Sequence, residues 1–268
     1  MKAEILSLLR QTDDYLSGQE LCERFGVTRS AVWKAVNQLK KGGYEIEAVQ
    51  NKGYRLTGLP DVLTKHELES RIRTKWAGRK VVFYENTGST NIQAKLLAEE
   101  GAQHGTLVVA ERQTAGRGRR GRGWQSPPGM NLYFTLLLKP DFIPDKASML
   151  TLVMALSVKE AIDQVCGIKT GIKWPNDIVL NGKKVTGILT EMSLQGEYIQ
   201  HVVIGVGINV KKQEFEPELI EKATTLEGET GKKISRALLL QKIMERFELH
   251  YGTFIQKLDL SALLDAYH

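Results

Sequence analysis

The chain has 268 residues, 42% hydrophobic and 25% charged, a balance that excludes disordered, collagen-like and membrane-embedded classes and leaves room for two domains. Formal net charge is +6, and Arg117, Arg119, Arg120 and Arg122 crowd into the nine-residue stretch GRGRRGRGW; a local anion site fits this concentration better than a generally basic surface. Two distant cysteines (Cys22 and Cys166), histidines without metal-ligand spacing, and no signal peptide or bilayer-length apolar run together read as a cytoplasmic chain with free thiols, no membrane partner and no protein-bound metal.

In chain order, Ile5, Leu6, Leu8 and Leu9 predict a short amphipathic helix. SGQE, residues 17–20, predicts a capping box that opens a second helix, which Gly26 stops. Thr28 is placed to cap a third, in which Val32, Val36 and Leu39 form the buried stripe while Arg29, Ser30, Lys34, Asn37 and Gln38 lie outside it. Two helices around a tight glycine turn, the second presenting amide, hydroxyl and cationic groups, have the form that enters a major groove. YEIEAV, the turn QNKG and YRLT then read as two strands with a basic tip, so a winged helix-turn-helix is expected over residues 1–58, with Lys52 and Arg55 reaching phosphates. The alternative is a small helical domain with a solvated charged face. TGLPD begins a linker over residues 59–65, and residues 66–268 form the second domain.

That domain alternates differently. KVVFYEN, GTLVVAE, NLYFTLLLK, DIVL, KKVTGILTEM and YIQHVVIGVGINV are strand-like. STNIQAKLLAEEG, with Thr90 and Gln93 as a further capping box, KASMLTLVMALSVKEAIDQVCG and residues 235–257 are helical. Asn181-Gly182 predicts a two-residue hairpin turn. Strands joined by tight turns with segregated helices argue for an α+β domain with a mixed, largely antiparallel sheet.

The arginine loop joins two of these strands. It lacks the Lys-Ser/Thr of a Walker A motif and is not a dinucleotide fingerprint. It can hold a nucleic-acid backbone, a nucleotide's phosphates, or nothing. Closing on a small anion fits best, because glycine allows close backbone approach and arginine offers bidentate contacts to carboxylate or phosphate. KWPND (residues 173–177), KKVTGILTE (183–191) and GVGIN (205–209) fall at strand ends and turns where one cleft can gather them; singly, each also reads as core or turn.

Together, GSTN, ERQTAGRGRRGRGW, NLYFT, KWPND, KVTGILTE and GVGIN, in this order behind a winged helix, resemble the biotin–protein ligases that double as biotin operon repressors. The resemblance implies a central domain with a class II-synthetase-like fold. The SH3-like barrel with which such proteins usually continue is expected to be absent, since the sequence stops at LLDAYH. It implies ATP-dependent, AMP-forming activation of biotin to biotinyl-5′-AMP, with Mg²⁺ on the pyrophosphate, and transfer to a lysine of the biotin carboxyl carrier protein of acetyl-CoA carboxylase. By the same resemblance Ser89, Thr90, Asn91, Gln113, Arg117, Gly118, Arg119 and Lys184 meet biotin, with Arg119 and Lys184 catalytic. Arg119, Arg122, Trp124, Asp177 and Asn209 meet the adenylate. The intermediate is then the corepressor: it favours a homodimer that sets two winged helices on operator DNA of biotin synthesis genes. Two other readings stay open, a ligand-sensing repressor without ligase activity and a lipoate–protein ligase relative.

Overall fold

A computed structural model describes residues 1–266 and divides into two compact units, Met1–Arg71 and Ile72–His268. In the first, helices α1 (Lys2–Arg10), α2 (Gly18–Phe25) and α3 (Arg29–Lys41) precede the antiparallel pair β1 (Glu45–Val49) and β2 (Gly53–Gly58). The Ser17 hydroxyl accepts from the amides of Gln19 and Glu20, and that of Thr28 from Ala31, satisfying donors that a helix start leaves free. Ile5, Leu6, Leu9, Leu21, Val32, Val36 and Leu39 close the core, as the apolar spacing requires.

A sixth element, helix α4 (Lys65–Arg71), belongs to this unit, so the division falls beyond TGLPD and not within it. Its Glu67 is only 1% exposed and receives Arg10 Nη2 at 2.5 Å, Arg71 Nε at 2.5 Å and the Tyr44 hydroxyl. Burial alone would raise the Glu67 pKa, yet Arg10, Tyr44 and Arg71 together hold it below the ordinary glutamate range. One carboxylate thus ties α1, the start of β1 and α4 together.

The second unit is built on a seven-stranded sheet. Its elements are β3 (Val81–Thr87), α5 (Thr90–Glu99), β4 (Leu107–Gln113), β5 (Leu132–Leu138), α6 (Leu150–Cys166), β6 (Gly171–Lys173), β7 (Asp177–Leu180), β8 (Lys183–Gln195), β9 (Tyr198–Ile208), α7 (Leu226–Thr230) and α8 (Arg236–Lys257). Strand order is β3-β4-β5-β9-β8-β7-β6. Only β3 and β4 run parallel; the other pairs are antiparallel. The expected α+β class and mixed sheet therefore hold. Asn181 and Gly182 take φ of 51° and 78°, the positive pair that a two-residue turn needs.

All seven residues of β5 are buried, which requires cover on both sheet faces. Ala94 and Ala98 of α5 pack on Val108, Leu137 and Val203, defining one face. Thr151 of α6 donates its hydroxyl to Thr190 of β8 at 2.8 Å from the other. Side chains alternate along a strand, so register fixes what lies beneath α5: Thr135, Gly205 and Leu189 form one cross-strand row, and Tyr133, Gly207 and Gly187 the next.

The Glu67 cluster generates a test. A group whose pKa is lowered by folding adds stability above its unfolded pKa of about 4.3, and that stability is lost as pH falls through the lower folded value. Glu67→Gln leaves two half-buried arginines facing a neutral amide and should cost the first unit about 3 kcal/mol at pH 7, with a smaller loss at pH 3. Hydrogen exchange of α1 amides in the full chain measures this; unchanged protection would contradict it.

Candidate functional site

The cleft on the α5 face is floored by glycine because other side chains come down onto the sheet. An added Cβ at Gly205 would stand 2.1 Å from Asn91 Oδ1, and one at Gly207 would stand 2.4 Å from the Trp124 indole. Neither position has room for alanine. Around this floor, Ser89, Thr90, Asn91, Gln113, Arg117, Gly118, Arg119, Trp124, Asn176 and Lys184 line a cleft of about 460 Å³, its mouth included.

The rim begins at the N-terminus of α5. The sequence reading made Thr90 the cap, with Gln93 as partner; in the structure Ser89 stands at the cap position and Thr90 is the first helical residue. The reason is Gln113, whose Oε1 accepts the Thr90 amide at 2.9 Å and lies 3.1 Å from its hydroxyl. The buried Ser89 hydroxyl makes no capping bond and is left facing the cleft.

Asn91 is held more tightly. Its Oδ1 accepts from the Thr135 hydroxyl at 2.6 Å, while Nδ2 donates to Glu191 Oε2 at 2.7 Å and to the Leu189 carbonyl at 3.3 Å. Glu191 in turn takes Lys95 Nζ at 2.6 Å. Burial pushes the Glu191 pKa up, but hydrogen bonds from Lys95 and Asn91 outweigh it and keep the group below the ordinary glutamate range.

The arginine loop is folded back on itself. Arg117 bridges to Gly123, Gly118 N donates to Arg122 O at 2.7 Å, Trp124 N donates to Gly116 O at 2.9 Å, and Arg120 takes a left-handed φ of 55°. All four arginines are exposed; Arg117 and Arg119 line the cleft, while Arg120 and Arg122 lie outside its lining. Arg119 Nη1 donates to Asn176 Oδ1 at 3.0 Å, and Asn176 Nδ2 to the Ile188 carbonyl at 3.1 Å. KWPND thus supplies an anchor for the loop.

Lys184 pairs with Asp177 at 2.7 Å and sits 5.5 Å from the Trp124 ring centroid. Asp177 borders the site through this pair without lining it. Asn209 is also outside the lining: it is buried, and its Nδ2 donates to Thr224 O at 3.3 Å. Trp174, which the sequence leaves open between core and cleft, is 76% exposed and lines a neighbouring hollow with Arg119 and Asn176. Sequence reasoning missed Thr135 and Glu191 as site residues. Both lie in quoted motifs, and only strand register shows that they face Asn91.

In the first unit Arg29, Ser30 and Lys34 are exposed on α3 and Asn37 partly so. Trp33, unnoticed in the sequence, is 62% exposed beside them. Lys52 is exposed in the turn between β1 and β2. Arg55 is engaged within the wing, donating to Glu47 at 2.8 Å and lying 4.8 Å from the Tyr15 ring centroid.

Residues 83–209 match the biotin/lipoate A/B protein ligase family, and residues 2–55 match a helix-turn-helix domain. Over 258 residues the chain is 42% identical to the bifunctional ligase/repressor BirA of Bacillus subtilis, covering 95% of this chain and 79% of that protein. It is 31% identical to the protein of the same name from Escherichia coli, covering 91% and 76%. Among solved structures, biotin protein ligase from Aquifex aeolicus in complex with biotin and ATP aligns with a TM-score of 0.58 at 37% identity, over 67% of this chain and 73% of that one. No helix among the described residues is long and apolar enough to cross a membrane. A winged helix-turn-helix ahead of a glycine-floored, arginine-rimmed cleft is thus found with relatives matched across nearly the whole chain, which belongs to the family of bifunctional biotin–protein ligases and repressors.

Proposed function

We propose that the protein activates biotin with ATP to biotinyl-5′-AMP, transfers the biotinyl group to a lysine of the biotin carboxyl carrier protein of acetyl-CoA carboxylase, and represses biotin synthesis genes when the intermediate accumulates. The observation that carries the ligase reading is the meeting in one cleft of Ser89, Thr90, Asn91, Gln113, Arg117, Gly118, Arg119 and Lys184.

The chemistry asks for this arrangement. The carboxylate of biotin attacks the α-phosphorus of ATP, so two anions must be brought into contact. Arg117 and Arg119 neutralise their repulsion, and the backbone at Gly118 lets the loop come close. Lys184 supplies a fixed cation where charge grows on the phosphoryl oxygens, oriented by Asp177. Trp124 offers a flat apolar face to the adenylate, and Arg122 reaches the nucleotide from the outer limb of the loop. Asn209 acts from behind, by holding Thr224 beside the strand that carries Lys184. Mg²⁺, brought on the polyphosphate of the nucleotide, would neutralise the departing pyrophosphate.

For repression, Arg29, Ser30, Lys34 and Asn37 meet operator bases and phosphates, and Lys52 meets a phosphate from the wing. Arg55 serves this surface by stiffening the wing through Glu47 and Tyr15. A homodimer favoured by biotinyl-5′-AMP would match a palindromic operator.

Incubating the protein with carrier, ATP and labelled biotin or lipoate tests the main reading. Labelled carrier is expected with biotin alone; labelling with lipoate, or with neither, would overturn it. Lys184→Ala should lower adenylate synthesis by about 10²–10³-fold, read as pyrophosphate release, since one preorganised charge on the transition state is removed. Operator affinity should rise when biotin and ATP are added together, as linkage requires. Equal affinity in gel-shift titrations with and without them would refute the regulatory half.

A further inference from the structure

The polar floor under α5 can be followed proton by proton. The Thr135 hydroxyl has one hydrogen and two oxygens in reach, Asn91 Oδ1 at 2.6 Å and Thr90 Oγ1 at 2.8 Å. The Asn91 amide faces two acceptors with Nδ2, the Glu191 carboxylate and the Leu189 carbonyl, so its Oδ1 can only accept. The Thr135 proton therefore goes to Asn91, and the Thr90 hydroxyl spends its own proton within the floor, with Gln113 Oε1 at 3.1 Å and Thr135 Oγ1 at 2.8 Å as its acceptors. Gln113 Oε1 accepts the Thr90 amide, and Gln113 Nε2 donates to Ser126 at 3.0 Å, which donates to the Trp124 carbonyl at 3.1 Å. The orientation of the Asn91 amide, and with it the direction of the Thr135 proton, thus starts at Glu191.

We propose that Glu191, held by Lys95, is a specificity-determining positioning residue: its carboxylate fixes the Asn91 amide, and the cleft floor consequently offers lone pairs to the N–H groups of a cyclic urea. This rests on the reading of the site as a biotin site. Spare lone pairs on Asn91 Oδ1 and Thr90 Oγ1 are what the ligand meets, because both hydroxyl protons are spent inside the floor. Gly205 makes the arrangement possible by letting Oδ1 settle on the strand.

The pair Lys95–Glu191 gives a test that packing alone would not pass. In Glu191→Gln the new side chain has one oxygen, and Lys95 claims it, so the new NH2 group meets Asn91 and turns its amide around. The floor then presents donors in place of acceptors. Biotin Kd by calorimetry without ATP, and biotin KM, are expected to rise about 10–100-fold, the cost of mismatched buried polar groups. The kcat at saturating biotin and the KM for ATP should stay within about threefold. In the double variant Lys95→Met with Glu191→Gln the glutamine oxygen is released to accept from Asn91, and biotin affinity should return to near the wild-type value. Wild-type affinity in Glu191→Gln, or a double variant as weak as the single, would overturn the proposal. A wild-type protein that binds no biotin would instead remove the ligase reading and this proposal with it, so the two failures are told apart.

Discussion

How closely side chains can approach β8 and β9 is the constraint on which the cleft depends. Gly205 lets an amide rest on the sheet, and Gly207 and Gly187 let an indole lie flat beside it. Were these positions filled, Asn91 could not reach both Thr135 and Leu189, and Trp124 would be lifted off its support. The strands thus floor the cleft on one face and form ordinary core on the other, where Val202, Ile204, Val206 and Ile208 are buried. One run of residues serves both ends because alternation separates them.

Charge in the cleft is organised by the same sheet. Arg119 leans on Asn176, which is bonded to the backbone of β8, and Lys184 leans on Asp177 of β7. Two cations on flexible stems are in this way restrained, one by a turn residue bonded to β8 and the other by a residue of β7. For a reaction that must bring two anions together, restraint before binding matters as much as charge, because side-chain ordering then adds less to the barrier. Trp124 completes the set from the loop, its ring 5.5 Å from the Lys184 ammonium.

Much of this was legible in the sequence, for reasons that differ by residue. Val32, Val36 and Leu39 announced a buried stripe because a helix repeats on a fixed period, and Asn181-Gly182 announced its turn because few residues accept positive φ. The motif order gathered Ser89 to Asn91 with Gln113, Arg117, Arg119 and Lys184. Thr135 and Glu191 stayed hidden because their importance comes from strand register, which links residues far apart along the chain. The capping box at Thr90 failed because a distant side chain, Gln113, outcompeted local geometry. Trp174 stays open between core and cleft on sequence alone, because large aromatics are usually buried; its exposure in the hollow beside Arg119 decides against core.

Helix α4 bears on how the molecule can be divided. TGLPD looks like a natural cutting point, with proline and glycine between two patterned regions. A fragment ended there would keep Arg10 and Tyr44 but discard Glu67, stranding a half-buried guanidinium and a phenol without the carboxylate that both contact. Domain exchange between relatives, or grafting of this winged helix onto another sensor, has its proper seam after Arg71. The first seventy-one residues are the transferable part.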